Sequence, residues 1–220
     1  MRAGVAGSGR VLILSLIASL AALGGCTWNP RMVHPNTFTS GRTLPARKVE
    51  IAGQFLPGAS LAVGLGRGFE THFGYCATGD DIVGGELQLT RTLWHDDHIY
   101  VSSTAAWERY IAGDHHDFDG WRSSFGGTFS RYNKAGWFAF HIPVRAYYME
   151  FDWTHGFDEY HPSLRGEDWS GTGWVATFGL GVSFEQPHWA IKLAFNGPVP
   201  DSVRHIEMLP YWTLQAAVRF

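Results

Sequence analysis

From Lys48 to the last residue, apolar and polar side chains alternate with a period of two. Successive side chains of a strand point to opposite faces, so each such stretch reads as a two-faced β-strand. Val49, Ile51 and Phe55 alternate with Lys48, Glu50 and Gln54, and Leu87 and Leu89 with Glu86 and Gln88. The pattern is cleaner in the second half. Phe138, Phe140, Ile142 and Val144 oppose His141, Arg145 and Tyr147, and Trp212, Leu214, Ala216, Val218 and Phe220 oppose Thr213, Gln215 and Arg219. The chain therefore predicts an all-β fold of about ten strands. Eight is the alternative count, if the short segments 60–66 and 69–76 pair apart from the rest.

Two architectures show this alternation. A soluble sandwich or barrel turns the apolar face inward, whereas a membrane barrel turns it to lipid and keeps the polar face inside. Three features favour an antiparallel up-and-down transmembrane barrel. Most segments reach the roughly 9–11 residues needed to cross a bilayer at a tilt. Aromatic residues of the apolar phase gather near segment ends, as interfacial girdles do: Trp107, Trp121, Trp174 and Trp212 toward one rim, Phe129, Phe184, Trp189 and Phe220 toward the other. The connections also alternate in length. Those near 67–68, 95–97, 133–136 and 186–188 are short, while the long ones, 111–120, 152–173 and 197–207, all belong to the opposite set. Pro143, inside a strand, predicts a bulge or kink. Charge is nearly balanced, with 17 Lys and Arg against 20 Asp and Glu, so no broad basic face points to nucleic acid.

Ahead of the strands, Arg2 and Arg10 precede an apolar run, Val11 to Leu23, too short to span a membrane and ending in Leu23-Gly24-Gly25-Cys26. This resembles the lipobox of bacterial lipoproteins. The resemblance implies cleavage before Cys26, lipid on its sulfur and new amino group, and Cys76 left without a disulfide partner. The expected organisation is a signal peptide over 1–25, a lipidated periplasmic tether over 26–47, and a barrel over 48–220. At the other end, terminal Phe220 with apolar residues at every second position resembles the strand read by the outer-membrane barrel assembly machinery. Gly41-Arg42-Thr43-Leu44-Pro45 is similar to the entry segment of a loose group of outer-membrane barrel lipoproteins. Together these imply outer-membrane location with an inner-leaflet anchor. The implied partners are membrane lipid, the barrel assembly and lipoprotein sorting machinery, and a possible small solute.

The chemistry-bearing residues fall in two places. Inside, the polar phase carries Lys48, Glu50, Glu70, Glu86, Glu108, Arg122, Arg145, Glu185, Lys192 and Arg219, five acids and five bases. A buried charge is costly unless paired, so equal numbers predict ion pairs across the interior. With His72 and His141, Glu70, Glu86, Glu108, Arg122, Arg145 and Lys192 are the expected lumen residues. The expectation is a plugged lumen in a structural barrel, or at most a narrow conduit for small solutes. Outside, the loops hold His115, His116, Asp117, Asp119, Asp152, His155, Asp158, Glu159 and His161. Such groups can bind zinc or copper, but adjacent histidines in a loop do not present two ligands to one ion, so no metal or cofactor is assigned. Asp117-x-Asp119 with Asp152-x-x-His155 is similar to the acidic and Asp–His pairs of omptin proteases. That likeness implies, as the alternative, a hydrolase with its active site on the outer rim.

Overall fold

The computed structural model describes residues 38–54, 58–77, 82–112, 117–154, 169–199 and 211–220. Ten strands follow in order: β1 (Val49–Gln54), β2 (Gly58–Gly66), β3 (Phe69–Ala77), β4 (Ile82–His95), β5 (Ile99–Ala112), β6 (Asp117–Tyr132), β7 (Phe138–Thr154), β8 (Trp169–Glu185), β9 (Trp189–Pro198) and β10 (Tyr211–Arg219). Each pairs antiparallel with the next, and β1 pairs with β10, Ile51 opposite Val218, to close an up-and-down barrel. β2 and β3, the two short segments, are part of the wall. The count is ten, not eight.

The barrel is apolar outside and polar inside. Phe125 is 68% exposed and Trp174 65%, whereas Gln88, Ser130, His141 and Ser183 are fully buried. The period-two pattern produces this directly, because one register slip would exchange the two faces along a whole strand. Two bulges adjust it, between Gly64 and Gly66 and between Thr92 and Trp94. At the second, neighbouring Leu93 and Trp94 are both exposed, adding an indole to the rim that simple alternation leaves out.

The short connections lie at one end. In the β4–β5 turn, Asp96 accepts hydrogen bonds from the backbone N–H groups of His98 and Ile99, which hold its carboxyl below the usual carboxylate range. In the β6–β7 turn, the Asn133 side chain accepts from the N–H groups of Trp137 and Phe138. The opposite end differs from expectation in its strand limits. β5 runs to Ala112, β6 begins at Asp117, β7 runs to Thr154 and β8 begins at Trp169, so Asp117, Asp119 and Asp152 stand on strands, not in loops. Alternation fades there because strands rising past the apolar band no longer need it.

Pro143 causes no bulge. The β7–β8 register is the same on both sides of it, His141 opposite Gly181 and Val144 opposite Phe178. Gly179 makes room: a Cβ there would lie 2.9 Å from Pro143 Cγ and 2.2 Å from Asn196 Oδ1. Gly179→Val should therefore lower the temperature at which the folded gel band is lost, by an overpacking cost of about 1–3 kcal/mol. An unchanged transition would contradict this packing.

Candidate functional site

The lumen is filled, and not by wall side chains alone. Residues 38–47, expected to be a free tether below the barrel, enter it at the short-turn end and climb to mid-height. Phe38, Thr39, Gly41 and Leu44 are buried. The segment can pass so close to the wall because Gly64 has no side chain, and a Cβ there would lie 2.1 Å from the Pro45 carbonyl oxygen. An extended segment has no ladder of its own, so its backbone groups take partners from the wall. Leu44 N donates to Glu70 Oε2 (2.6 Å), Gly41 N to Ser130 Oγ (2.8 Å), and Thr92 Oγ1 to the Gly41 carbonyl (3.1 Å). Ser102 Oγ donates to the Ser40 carbonyl at 3.3 Å. At mid-height Arg145 Nη2 reaches both Thr39 Oγ1 and Gln88 Oε1, at 2.9 Å each.

Glu185, the last residue of β8, anchors the lower lumen. Its Oε1 accepts from Tyr132 and Ser183, each at 2.8 Å, and its Oε2 from Arg42 and Arg219, each at 3.0 Å. Four donors saturate the carboxylate. Arg219 also donates to Glu50 Oε2 (2.7 Å), and Lys192 to Glu50 Oε1 (2.5 Å), so the network crosses the β1–β10 seam and ties the plug to it. Arg42 lies over the Tyr132 ring, 4.1 Å from its centroid.

The hydrogen bonds around His141 have one consistent direction. Ser183 gives its only proton to Glu185, so it accepts from His141 Nε2 (2.8 Å). In the neutral ring Nδ1 then accepts from Ser130 (2.6 Å), whose oxygen already receives Gly41 N–H. The relay runs from Gly41 through Ser130, His141 and Ser183 to Glu185, joining plug, β6, β7 and β8. The Phe38 ring meets the imidazole edge-on at 5.0 Å. Both ring nitrogens are engaged by hydroxyls, and Phe38 packs against the ring. These hydrogen bonds link the plug to three strands of the wall.

Of the expected lumen residues, Glu70, His72, Glu86, Glu108, Arg122, His141, Arg145 and Lys192 are all buried. Glu70 pairs with His72, and Arg122 with Glu108 and Tyr110 in the upper lumen, where the Arg122 guanidinium lies 5.0 Å from the Tyr147 ring centroid. Lys48 does not belong with them. It precedes β1 and is exposed. Alternation alone does not reveal Phe38, Thr39, Ser130, Tyr132 or Ser183 as site residues, since only the plug's path makes them one.

At the outer rim the β6–β7 register sets Asp119 opposite Asp152 and Asp117 opposite Thr154. His115, His116, His155, Asp158, Glu159 and His161 lie outside the described residues, as do Cys26 and the segment leading from it. Among the described residues, no group of three or more His, Cys, Asp and Glu could hold a metal ion.

No protein-family model and no curated protein matches the chain. Among solved structures, it is similar to Ail, the attachment invasion locus protein of Yersinia pestis, with 15% identity over 80% of this chain and 100% of that one and a TM-score of 0.43. It is similar to the N-terminal β-barrel domain of Pseudomonas aeruginosa OprF, with 12% identity, coverage of 80% and 100%, and a TM-score of 0.42. For Neisserial surface protein A the values are 13%, 78% and 94%, and 0.40.

Glu185→Ala should be the most damaging single change in the lower lumen. It removes the counter-charge shared by Arg42 and Arg219, a loss of about 3–5 kcal/mol for a buried pair. The urea midpoint should fall, and trypsin should cut at Arg42 in folded protein. Arg91→Ala, on the outward face, should leave both unchanged.

Proposed function

We propose that this chain is a lipid-anchored barrel of the bacterial outer membrane with a structural, non-enzymatic role, its lumen kept shut by its own N-terminal segment. The plug is the observation that carries the reading. Segment 38–47 stands where a solute would pass, and Arg145 and His141, natural lining residues of a conduit, are engaged by Thr39 and covered by Phe38. Ten strands enclose a narrow interior that side chains and one extended segment can fill.

The membrane assignment rests on physical requirements. Hydrocarbon satisfies no backbone polar group, so a spanning sheet must close, as the β1–β10 pair does here. The exterior is apolar, with Trp107, Trp174 and Trp212 exposed toward the long-loop rim and Trp94, Phe184 and Phe220 toward the short-turn rim. The short turns then face the periplasm. The lipobox supports a lipid on Cys26. Twelve extended residues from Cys26 to Thr37 reach roughly 40 Å, against a hydrocarbon core of about 30 Å, so a chain leaving mid-lumen can return to the periplasmic leaflet.

The competing conduit and rim-hydrolase readings make different demands. In planar bilayers the intact protein should give no conductance steps, and deletion of residues 38–47 should produce them. Steady conductance of the intact protein would sink the closed-barrel reading. Fatty-acid probe labelling of cells should disappear in Cys26→Ala, and persistent labelling would remove the anchor. Hydrolytic activity abolished by Asp119→Asn and Asp152→Asn would move the function to the rim.

A further inference from the structure

Beside the plug, the short-turn mouth holds a cavity of about 560 Å³ that the closed-barrel reading does not use. Its walls are charged and apolar together: Arg42, Lys48 and Arg219 supply positive charge, Glu185 is the one acid lining it, and Leu44, Pro45 and Trp137 supply surface. The charges do not cancel. Arg42, Lys192 and Arg219 share two carboxylates, Glu50 and Glu185, which leaves one positive charge over. Exposed Lys48, with no acidic partner among the described residues, adds a second, and exposed His188 lines the same mouth. Arg42 uses only one terminal nitrogen on Glu185, so the other side of its guanidinium remains a donor beside the cavity. Trp137 is 42% exposed and stacks on outward Phe184 with centroids 5.9 Å apart, so the apolar wall continues into the rim where lipid headgroups would lie.

We propose that this mouth binds a phosphate-bearing ligand of headgroup size, its anionic oxygens taken by Arg42 and Lys48 and its apolar part set against Trp137 and Leu44. Arginine forks and lysine ammonium groups are the usual partners of phosphate oxygens. The volume is that of a small-molecule site. The chain's own preceding segment fits poorly, because residues 26–37 carry Arg31 and His34 and no acid. Binding would also draw Arg42 between the ligand and Glu185, so occupancy would act on the plug.

The source of the phosphate and the assignment itself can be tested on full-length protein, separately from conductance. Glycerol 3-phosphate titrated into detergent-solubilised protein tests a soluble ester. Nanodiscs of phosphatidylglycerol, compared with phosphatidylcholine, test a lipid headgroup. Saturable binding in either arm is expected, about tenfold weaker in Lys48→Ala, which removes one charge-assisted contact and keeps the backbone N–H that Lys48 gives to the Pro45 carbonyl. Arg42→Lys should weaken binding while leaving the folded gel band. Saturation in the soluble arm identifies a free phosphate ester, and saturation only with phosphatidylglycerol identifies a headgroup. No saturation in either arm, or the same affinity in Lys48→Ala, overturns the proposal. Binding that appears only after residues 26–37 are removed gives the cavity to the tether and overturns it as well.

Discussion

A charge in a closed interior must be neutralised where it stands, and Glu185 shows how this barrel meets that demand. Two oxygens receive four donors, one from the plug, one from β6, one from β8 itself and one from β10. Arg219 carries the network on to Glu50 and thence to Lys192, so the two strands that close the barrel, β1 and β10, are joined by charge as well as by backbone pairing. Barrel closure and plug seating therefore draw on the same carboxylate. Pairing of this kind is weak evidence for net stability, because desolvation offsets most of the attraction. Its effect is on uniqueness, since a plug shifted by one residue would leave the half-buried Arg42 without Glu185.

The wall was legible in the sequence because its physics is repetitive. Most of the wall follows one rule, apolar out and polar in, with small inward residues such as Ala52 and Ala190 as exceptions, and Leu87-Gln88-Leu89 or Phe140-His141-Ile142 states it in three residues. Legibility ended where the rule stops applying. Asp117, Asp119 and Asp152 rise past the apolar band, so both faces can be polar and the strands read as loop. Lys48 continued the alternation by one residue, but strand pairing begins only at Val49.

The plug was hidden for a different reason. Thr39, Ser40, Gly41 and Thr43 have no period, because an extended segment inside a polar lumen has polar neighbours on every side. Residues suited to a solvated tether are small and polar, and so are residues suited to a hydrogen-bonded filling. Composition cannot separate them. What could have done so is Gly64, an inward glycine where a Cβ would meet the Pro45 carbonyl, and the arithmetic of interior charge, which with Lys48 outside is one base short of its five acids until Arg42 is brought inside.

Those two features also explain why the filling is a chain segment rather than larger wall side chains. A lumen packed only by side chains would need every inward donor and acceptor matched across the barrel, with each mismatch costing about 1–3 kcal/mol. A backbone brings an N–H or a carbonyl every few ångströms and can serve several strands in turn, as Gly41 does by giving its N–H to Ser130 and accepting from Thr92 with its carbonyl. Small inward residues on the wall, Ser102, Thr92, Thr128 and Ser130, keep the room that such a segment requires. Among the described residues the plug's one ion pair with the wall, Arg42 to Glu185, lies at the mouth where an anion arriving from the short-turn side would meet it first.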